Sequence, residues 1–465
     1  MEIITVSEIL GATKGRLLSG GMDAEFSRIS TDTRTIGKGS MFLALKGKKY
    51  DAHKFISRAV KKRAGGVIVS SQSGVRPAKG LVVIKVKDTL RALQDTAAFY
   101  RRKFKIPVVA VTGSNGKTTT KEIIWNITSL KFPVLKSRGN YNNEIGLPLS
   151  LLELNRTHRA AVLEFATNAP GEIRRLAEIG VPDIGVITNI GMSHTEGLCS
   201  IGGVAKEKFS LLQGLSKKGS AVLNADDEST GKRIAGLKKI RNIRLLTYGI
   251  EKKSDVYASD IACTVRGGSC FKIHLPCRRP FRVRSPLMGM HNVYNVLAAS
   301  AAAHILGASE SNIKRGIEKV CALPMRMQIE NVRGLKLVND AYNANPQSVR
   351  ALLKFSRELK TGRKIFVFGD MKELGKWSAP AHCDIGRDMY ESGIEILFAI
   401  GRMAGLAADK FGEMGGISFV FQDKKKLIRK LLAETKKSDV VLVKGSRTAG
   451  MDEIARAIKK NYRGT

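Results

Sequence analysis

The run Ile106-Pro107-Val108-Val109-Ala110-Val111 passes directly into Thr112-Gly113-Ser114-Asn115-Gly116-Lys117-Thr118-Thr119-Thr120, and this joint decides the fold. The first part is apolar without alternation and of strand length. That pattern suits a strand buried on both faces of a parallel sheet. A helix is predicted over 121–130. Strand, glycine turn, Lys-Thr and helix together make a phosphate-binding arrangement. Gly113 and Gly116 let backbone N–H groups converge on phosphate oxygens with no Cβ in the way. The helix N-terminus adds partial positive charge. Lys117 can reach the β- and γ-phosphates, and the Thr118 hydroxyl can bind magnesium. The spacing is Gly113-x-x-Gly116-Lys117-Thr118; in the commoner G-x-x-x-x-G-K-[ST] form the first glycine would fall at Val111. The competing reading is a glycine-rich turn with an exposed lysine, and the flanking strand and helix argue against it.

Outward from the joint, buried-strand patterns recur at 160–163, 184–188 and 220–224. The segment 249–286 reads as short strands and turns, and an Ala-rich helix covers 292–306. This alternation predicts a doubly wound P-loop domain over 105–320. Upstream, residues 1–104 read as a small α/β domain. Ser7-Glu8-Ile9-Leu10 looks like a short capped helix there, with strands near 41–45, 66–70 and 81–86 and helices at 53–62 and 89–103. The basic stretch Tyr100-Arg101-Arg102-Lys103-Phe104-Lys105 reads as a linker. Downstream, residues 321–465 show buried-strand patterns at 335–338, 364–368, 396–400 and 440–443, each followed by a helix. That predicts a C-terminal Rossmann-like domain. The expected fold class is therefore α/β in three domains.

Composition bounds the function. The chain has 465 residues, 43% hydrophobic and 26% charged, which argues against wholesale disorder. Its 79 Lys and Arg against 41 Asp and Glu give a net charge of +38. So basic a chain should attract polyanions: nucleic acid, anionic membrane or phosphorylated small molecules. No aromatic-interleaved basic patch or DNA-binding helix pattern supports nucleic acid. The cysteines Cys199, Cys263, Cys270, Cys277, Cys321 and Cys383 form no CxxC pair. Cys263, Cys270 and Cys277 are evenly spaced near His274, but lack the short spacings of a zinc site. They read as reduced thiols, which fits a cytoplasmic setting. No signal peptide and no membrane span are expected.

Further residues could carry phosphate chemistry. Glu164 stands just after a strand, where carboxylates face the ligand crevice of open α/β sheets, and magnesium needs such an oxygen ligand. The alternative is an exposed loop Glu. His194, within Thr188-Asn189-Ile190-Gly191-Met192-Ser193-His194-Thr195-Glu196, is either a metal ligand or a loop histidine. Lys208 is by composition an ordinary helix lysine.

The T-G-S-N-G-K-T-T loop resembles the ATP loop of the Mur ligase family, which also includes the folylpolyglutamate synthetases. A strand-end Glu, an N-I-x-x-x-H segment and a Lys fourteen residues on recur there. The resemblance implies that Gly113, Ser114, Asn115, Gly116, Lys117, Thr118 and Thr119 bind ATP. It implies two magnesium ions, one held by Thr118 and Glu164, the other by His194 and a carbamoylated Lys208, with Lys206 a neighbouring candidate. Met290-His291-Asn292-Val293-Tyr294-Asn295 resembles the family's H-N-x-x-N helix, with Asn292 capping and Asn295 on adenine. Pro324-Met325-Arg326 resembles the junction whose Arg reaches the ATP phosphates. Asp340 resembles a residue that binds ribose or the Lys–phosphate array. Lys117, His194, Lys208 and Arg326 are the implied catalytic groups.

Asn339-Asp340-Ala341-Tyr342-Asn343-Ala344-Asn345-Pro346 narrows the branch. It resembles the family members that add D-alanyl-D-alanine to UDP-N-acetylmuramoyl-tripeptide; the D-Y-A-H-x-P form of the branch adding the third residue is not found. Ser30-Thr31-Asp32-Thr33-Arg34, Asn140-Tyr141-Asn142-Asn143-Glu144-Ile145-Gly146-Leu147-Pro148, Gly369-Asp370-Met371-Lys372-Glu373-Leu374-Gly375 and Val443-Lys444-Gly445-Ser446-Arg447 agree with it. The implied substrate contacts are Thr33 and Arg34 for the UDP-sugar, in the first domain. Asn140, Asn142 and Asn143 are implied for the peptide, and Asn343, Asn345 and Arg447 for the dipeptide or the closed state. Ala166 and Ala169 replace a Gly and a His usual after the strand-end Glu. The implied reaction is ATP-dependent amide formation through an acyl phosphate, in a cytoplasmic monomer. The rivals are a ligase for another amino acid, a nucleic-acid-stimulated ATPase and an inactive homologue.

Overall fold

The computed structural model describes residues 1–47, 50–71, 80–237, 243–263, 267–359 and 362–463. Val108–Thr112 lies inside the largest sheet, third from one edge, and all five residues are buried. It runs parallel to Ala160–Glu164 on one side and to Ile184–Ile187 on the other. Beyond Ala160–Glu164 comes the edge strand Val134–Lys136. Beyond Ile184–Ile187 come Ser220–Asn224, Arg244–Gly249 and Val256–Cys263, all parallel. The chain therefore leaves Val108–Thr112 toward one edge and then returns to build the other side. Such a reversal opens a crevice at the carboxyl ends of the central strands.

The stretch expected as short strands and turns extends this sheet with two antiparallel pairings, Val256–Cys263 with Ser269–His274 and then Phe281–Ser285. Phe281–Ser285 alternates buried and exposed residues, as an edge strand with one wet face does. Among the described residues this sheet has nine strands.

The C-terminal sheet has six strands among the described residues. Leu335–Asp340, Val440–Lys444, Lys364–Gly369, Ile396–Ile400 and Ile417–Phe421 run parallel, and Gln328–Val332 closes one edge antiparallel. The sequence reading misses Gln328–Val332 and Ile417–Phe421. Both lie at edges and are only partly buried, so neither shows a continuous apolar run. The N-terminal sheet orders Arg16–Ser19, Val82–Lys85, Gly66–Val69, Met41–Leu43 and Ile29–Ser30, antiparallel only at the first pair.

Three local expectations need correction. The first helix is Val6–Thr13, and its cap is Thr5, whose side chain and Glu8 form a reciprocal capping box. Helix Thr89–Arg102 continues through the expected linker. Tyr100 and Arg101 are buried there, and the Arg101 guanidinium donates to the carbonyls of Gly180, Phe104 and Ile106 at 3.1, 2.6 and 2.9 Å. Helix Met290–Ile305 begins at Gly289 without a side-chain cap, and Asn292 Nδ2 instead donates to Met288 O at 2.7 Å.

One apolar core runs from Ile4, Phe26 and Leu93 of the N-terminal unit into Val108, Leu163 and Leu223 of the central one. The C-terminal sheet carries separate cores on its two faces, around Phe366 and Phe368 and around Val367 and Phe398.

Candidate functional site

The phosphate loop is shaped by two glycines that nothing else could replace. Gly113 has φ 148°, and a Cβ there would lie 1.8 Å from Thr188 Oγ1. Gly116 has φ 81°, and a Cβ would lie 2.2 Å from Asn295 Oδ1. The loop is tied to the neighbouring strand end: Ser114 N–H donates to Asn189 O and Asn115 N–H to Asn189 Oδ1, both at 2.9 Å. The following helix is Lys117–Thr128, so it starts four residues earlier than expected and its first N–H groups belong to the loop. Lys117 Nζ folds back onto Gly113 O at 2.8 Å and Ser114 O at 3.3 Å.

A cavity of about 580 Å³ opens over this loop. Of the expected site residues, Ser114 to Thr119, Asn140, Asn142, Asn143, Glu164, His194, Asn295, Arg326, Asp340, Asn343, Asn345 and Arg447 line it. Gly113 and Lys208 are buried and not among its lining. Thr33 and Arg34 are not among its lining; Thr33 is buried, and the exposed Arg34 guanidinium pairs with Asp32 at 2.7 Å.

Several side chains meet across the cavity from distant parts of the chain. Glu164 is the last residue of its strand rather than the first after it. Its Oε1 accepts from Asn142 Nδ2 at 2.8 Å, while Oε2 is buried without a partner. Arg326 donates to Thr118 Oγ1 at 2.9 Å and lies 3.9 Å over the Tyr342 ring, a cation–π contact. Asp340 pairs with the buried Lys444 and accepts Met327 N–H at 3.1 Å. Lys444 also donates to Asn343 O at 3.1 Å. Asn115 Nδ2 donates to Gln347 Oε1 at 2.9 Å, and Asn345 Nδ2 returns a bond to Asn115 Oδ1 at 2.8 Å. Asn295 is buried, with Nδ2 donating to Asn292 Oδ1 at 2.9 Å.

The cations of the cleft are poised by desolvation. Lys117 keeps part of its surface open, yet loss of water around it lowers its ammonium below the ordinary amine range, with Glu164 opposing that shift. Lys208 is 1% exposed while Lys206 is exposed. Burial drives the Lys208 amine well below its ordinary value, and the charge of Lys117 pushes the same way. His194 Nδ1 lies 2.6 Å from Glu373 Oε2 without the alignment of a hydrogen bond. The imidazole holds the Glu373 carboxyl below the usual carboxylate range.

The donor set suits magnesium. Among the described residues no three His, Cys, Asp or Glu side chains gather into a cage. One hydroxyl and one carboxylate with an unpartnered buried oxygen leave most positions to water and phosphate, which is how this ion is usually held.

Tyr342, Gln347, Glu373 and Lys444 escaped the list of site residues read from the sequence. Each lies within or beside a quoted motif, but only the tertiary contacts give it a task. The thiols Cys270 and Cys277 are free, and His274 stacks on Tyr257 and bonds Ser259 at 2.9 Å; the Cys263 side chain lies outside the described residues.

Residues 111–303 match the Mur ligase middle domain, and residues 325–447 match the Mur ligase glutamate ligase domain. The UDP-N-acetylmuramoyl-tripeptide–D-alanyl-D-alanine ligase of Buchnera aphidicola subsp. Baizongia pistaciae is 37% identical over 93% of this chain and 92% of its own length. A crystal structure of MurF from Acinetobacter baumannii superposes with a TM-score of 0.90 at 32% identity, covering 99% of both chains. The MurF ligase of Thermotoga maritima in complex with ADP does so with a TM-score of 0.82 at 26% identity, over 94% of this chain and 98% of that one.

Proposed function

Since the chain belongs to the Mur ligase family, we infer that it is an ATP-dependent ligase joining D-alanyl-D-alanine to UDP-N-acetylmuramoyl-tripeptide in peptidoglycan precursor synthesis. The observation that carries the reading is the Arg326–Thr118 contact over the phosphate loop, which joins the C-terminal unit to the nucleotide end of the cavity.

In this reading the tripeptide carboxylate attacks the γ-phosphate, giving an acyl phosphate and ADP, and the dipeptide amine then attacks the acyl carbon. The first step brings two anions together, and the second expels inorganic phosphate as the amine gives up a proton, so the protein's task is positioning and charge neutralisation. The loop N–H groups and Lys117 hold the phosphates. Arg326, stiffened by Tyr342, offsets charge developing on the transferred group. Asn295 is offered to adenine and Asp340, with Lys444, to the ribose end. Asn140, Asn142 and Asn143 face the peptide; Asn343, Asn345 and Arg447 face the dipeptide. Thr33 and Arg34 are reserved for the UDP-sugar, beyond the cavity. Magnesium, when bound, would neutralise phosphate charge, with Thr118 and Glu164 for one ion and His194 and Lys208 for a second. Carbamoylation of Lys208 requires a neutral amine, and burial shifts the amine toward that form. Joined to the active site, the C-terminal unit excludes water that would hydrolyse the acyl phosphate. The enzyme acts in the cytoplasm in this reading; among the described residues no helix is long and apolar enough to cross a membrane.

Phosphate release tests the proposal. With ATP, magnesium, bicarbonate and the UDP-linked tripeptide, release should be sustained only when D-alanyl-D-alanine is present. Release indifferent to the dipeptide, or stimulated instead by DNA or RNA, would refute the assignment.

A further inference from the structure

The turn that carries His194 is gripped from across the cavity. His194 has φ 55° and Glu373 has φ 66°, both in the left-handed region that side-chain-bearing residues seldom occupy. His194 precedes the short helix Thr195–Leu198, in the central unit, while Glu373 follows the strand Lys364–Gly369 of the C-terminal sheet. Their side chains approach to 2.6 Å. Their backbones are also joined: Glu196 N–H donates to Glu373 O at 3.0 Å, and Thr195 Oγ1 donates to Leu374 O at 3.1 Å. Two unusual backbone conformations facing each other are held by these contacts, and such outliers collect where geometry matters for function.

The Glu373 loop is itself fixed from behind. His382 is fully buried, with Nε2 accepting Met371 N–H at 2.9 Å and Nδ1 donating to Ser378 O at 2.7 Å. Those partners fix a neutral ring with its proton on Nδ1. Asp370 accepts Ala404 N–H at 2.8 Å and pairs with Lys372 at 2.9 Å. The carboxylate is thus delivered by a braced loop, even though half of its own side chain is exposed.

We propose that Glu373 is a positioning residue of the ligase: a carboxylate from the C-terminal unit that fixes the orientation and tautomer of His194 in the central unit. A carboxylate standing beside Nδ1 favours the ring proton on that nitrogen and so leaves the lone pair on Nε2, the arrangement by which carboxylates orient ligating histidines. His194 is therefore set in its working orientation only when the C-terminal unit is seated. The assignment rests on the ligase reading of the same cavity.

The test uses the full chain with Glu373→Ala and the conservative Glu373→Gln. Thermal midpoints should stay at the wild-type value. In Glu373→Ala, kcat should fall by about 10–100-fold with KM for ATP within about twofold, and the magnesium concentration for half-maximal rate should rise about tenfold. Glu373→Gln should fall between. Hydrogen exchange of the backbone amides of residues 194–199 should quicken by roughly tenfold in Glu373→Ala, since the turn keeps its main-chain bond to residue 373 but loses the side-chain contact that holds His194. Wild-type kcat and magnesium dependence in Glu373→Ala would overturn the proposal. So would a loss of kcat with unchanged exchange, which would put Glu373 in the chemistry instead of behind His194. A wild-type enzyme without dipeptide-dependent phosphate release would sink the ligase reading instead, and faster exchange in the variant would still uphold the hold on His194.

Discussion

The two seams of the molecule are built on different principles. Between the N-terminal and central units the apolar core is continuous. The contacts around it are permanent in kind: Tyr100 Oη donates to Leu154 O at 2.6 Å, and Arg175 reaches Gln94 at 2.8 Å and Asp95 at 2.7 Å. Between the central and C-terminal units the fully buried cores are separate. Among the described residues only the partly buried Met192 and Met288 of the central unit pack against the C-terminal one, and the joining groups named above are mostly polar side chains around the cavity. Parting the first seam would expose shared apolar surface, whereas parting the second would mainly hydrate polar groups. Stability therefore resides in the first seam and the reaction in the second.

Four substitutions can break or sharpen that contrast. The largest effect is expected from Lys117→Ala, which should reduce dipeptide-dependent phosphate release by at least about a thousandfold. Calorimetry should still find binding of the UDP-linked tripeptide within about threefold of normal; weakened binding would mean that the lysine serves the other substrate. Arg326→Ala, at the second seam, should lower kcat about a hundredfold and leave the unfolding midpoint in place. Arg101→Ala should do the opposite, costing about 1.5–3 kcal/mol in urea unfolding because charged hydrogen bonds to buried carbonyls are lost, with kcat per folded molecule intact. The smallest effect belongs to Gln347→Ala, which should slow turnover a few-fold and change stability by less than about 0.5 kcal/mol. Equal behaviour of Arg101→Ala and Gln347→Ala in both assays would erase the distinction between the seams.

What was legible in the sequence follows the same division. The buried strand Val108–Thr112 and its loop could be read because continuous apolar residues and glycines at fixed spacing are local signals. The parallel strands at the centre of the C-terminal sheet were readable for the same reason. Tyr100 and Arg101 mislead because a basic, apolar-poor stretch reads as exposed, and only the fold supplies the carbonyls that receive the guanidinium. Lys208 looked like any surface lysine, and nothing in its neighbours announced that it would be 1% exposed. Glu373 is 179 residues from His194, and no local pattern encodes that meeting.

The chain contains two tryptophans, Trp125 and Trp377. Trp125 is anchored inside the central unit, its indole N–H on Val134 O at 3.0 Å. Trp377 instead spans the second seam, with its N–H on Cys199 O at 3.4 Å and 41% of its surface exposed. The protein thus carries a native fluorescence gauge: emission from one indole tracks separation of the units, and the other serves as an internal reference, without any attached dye.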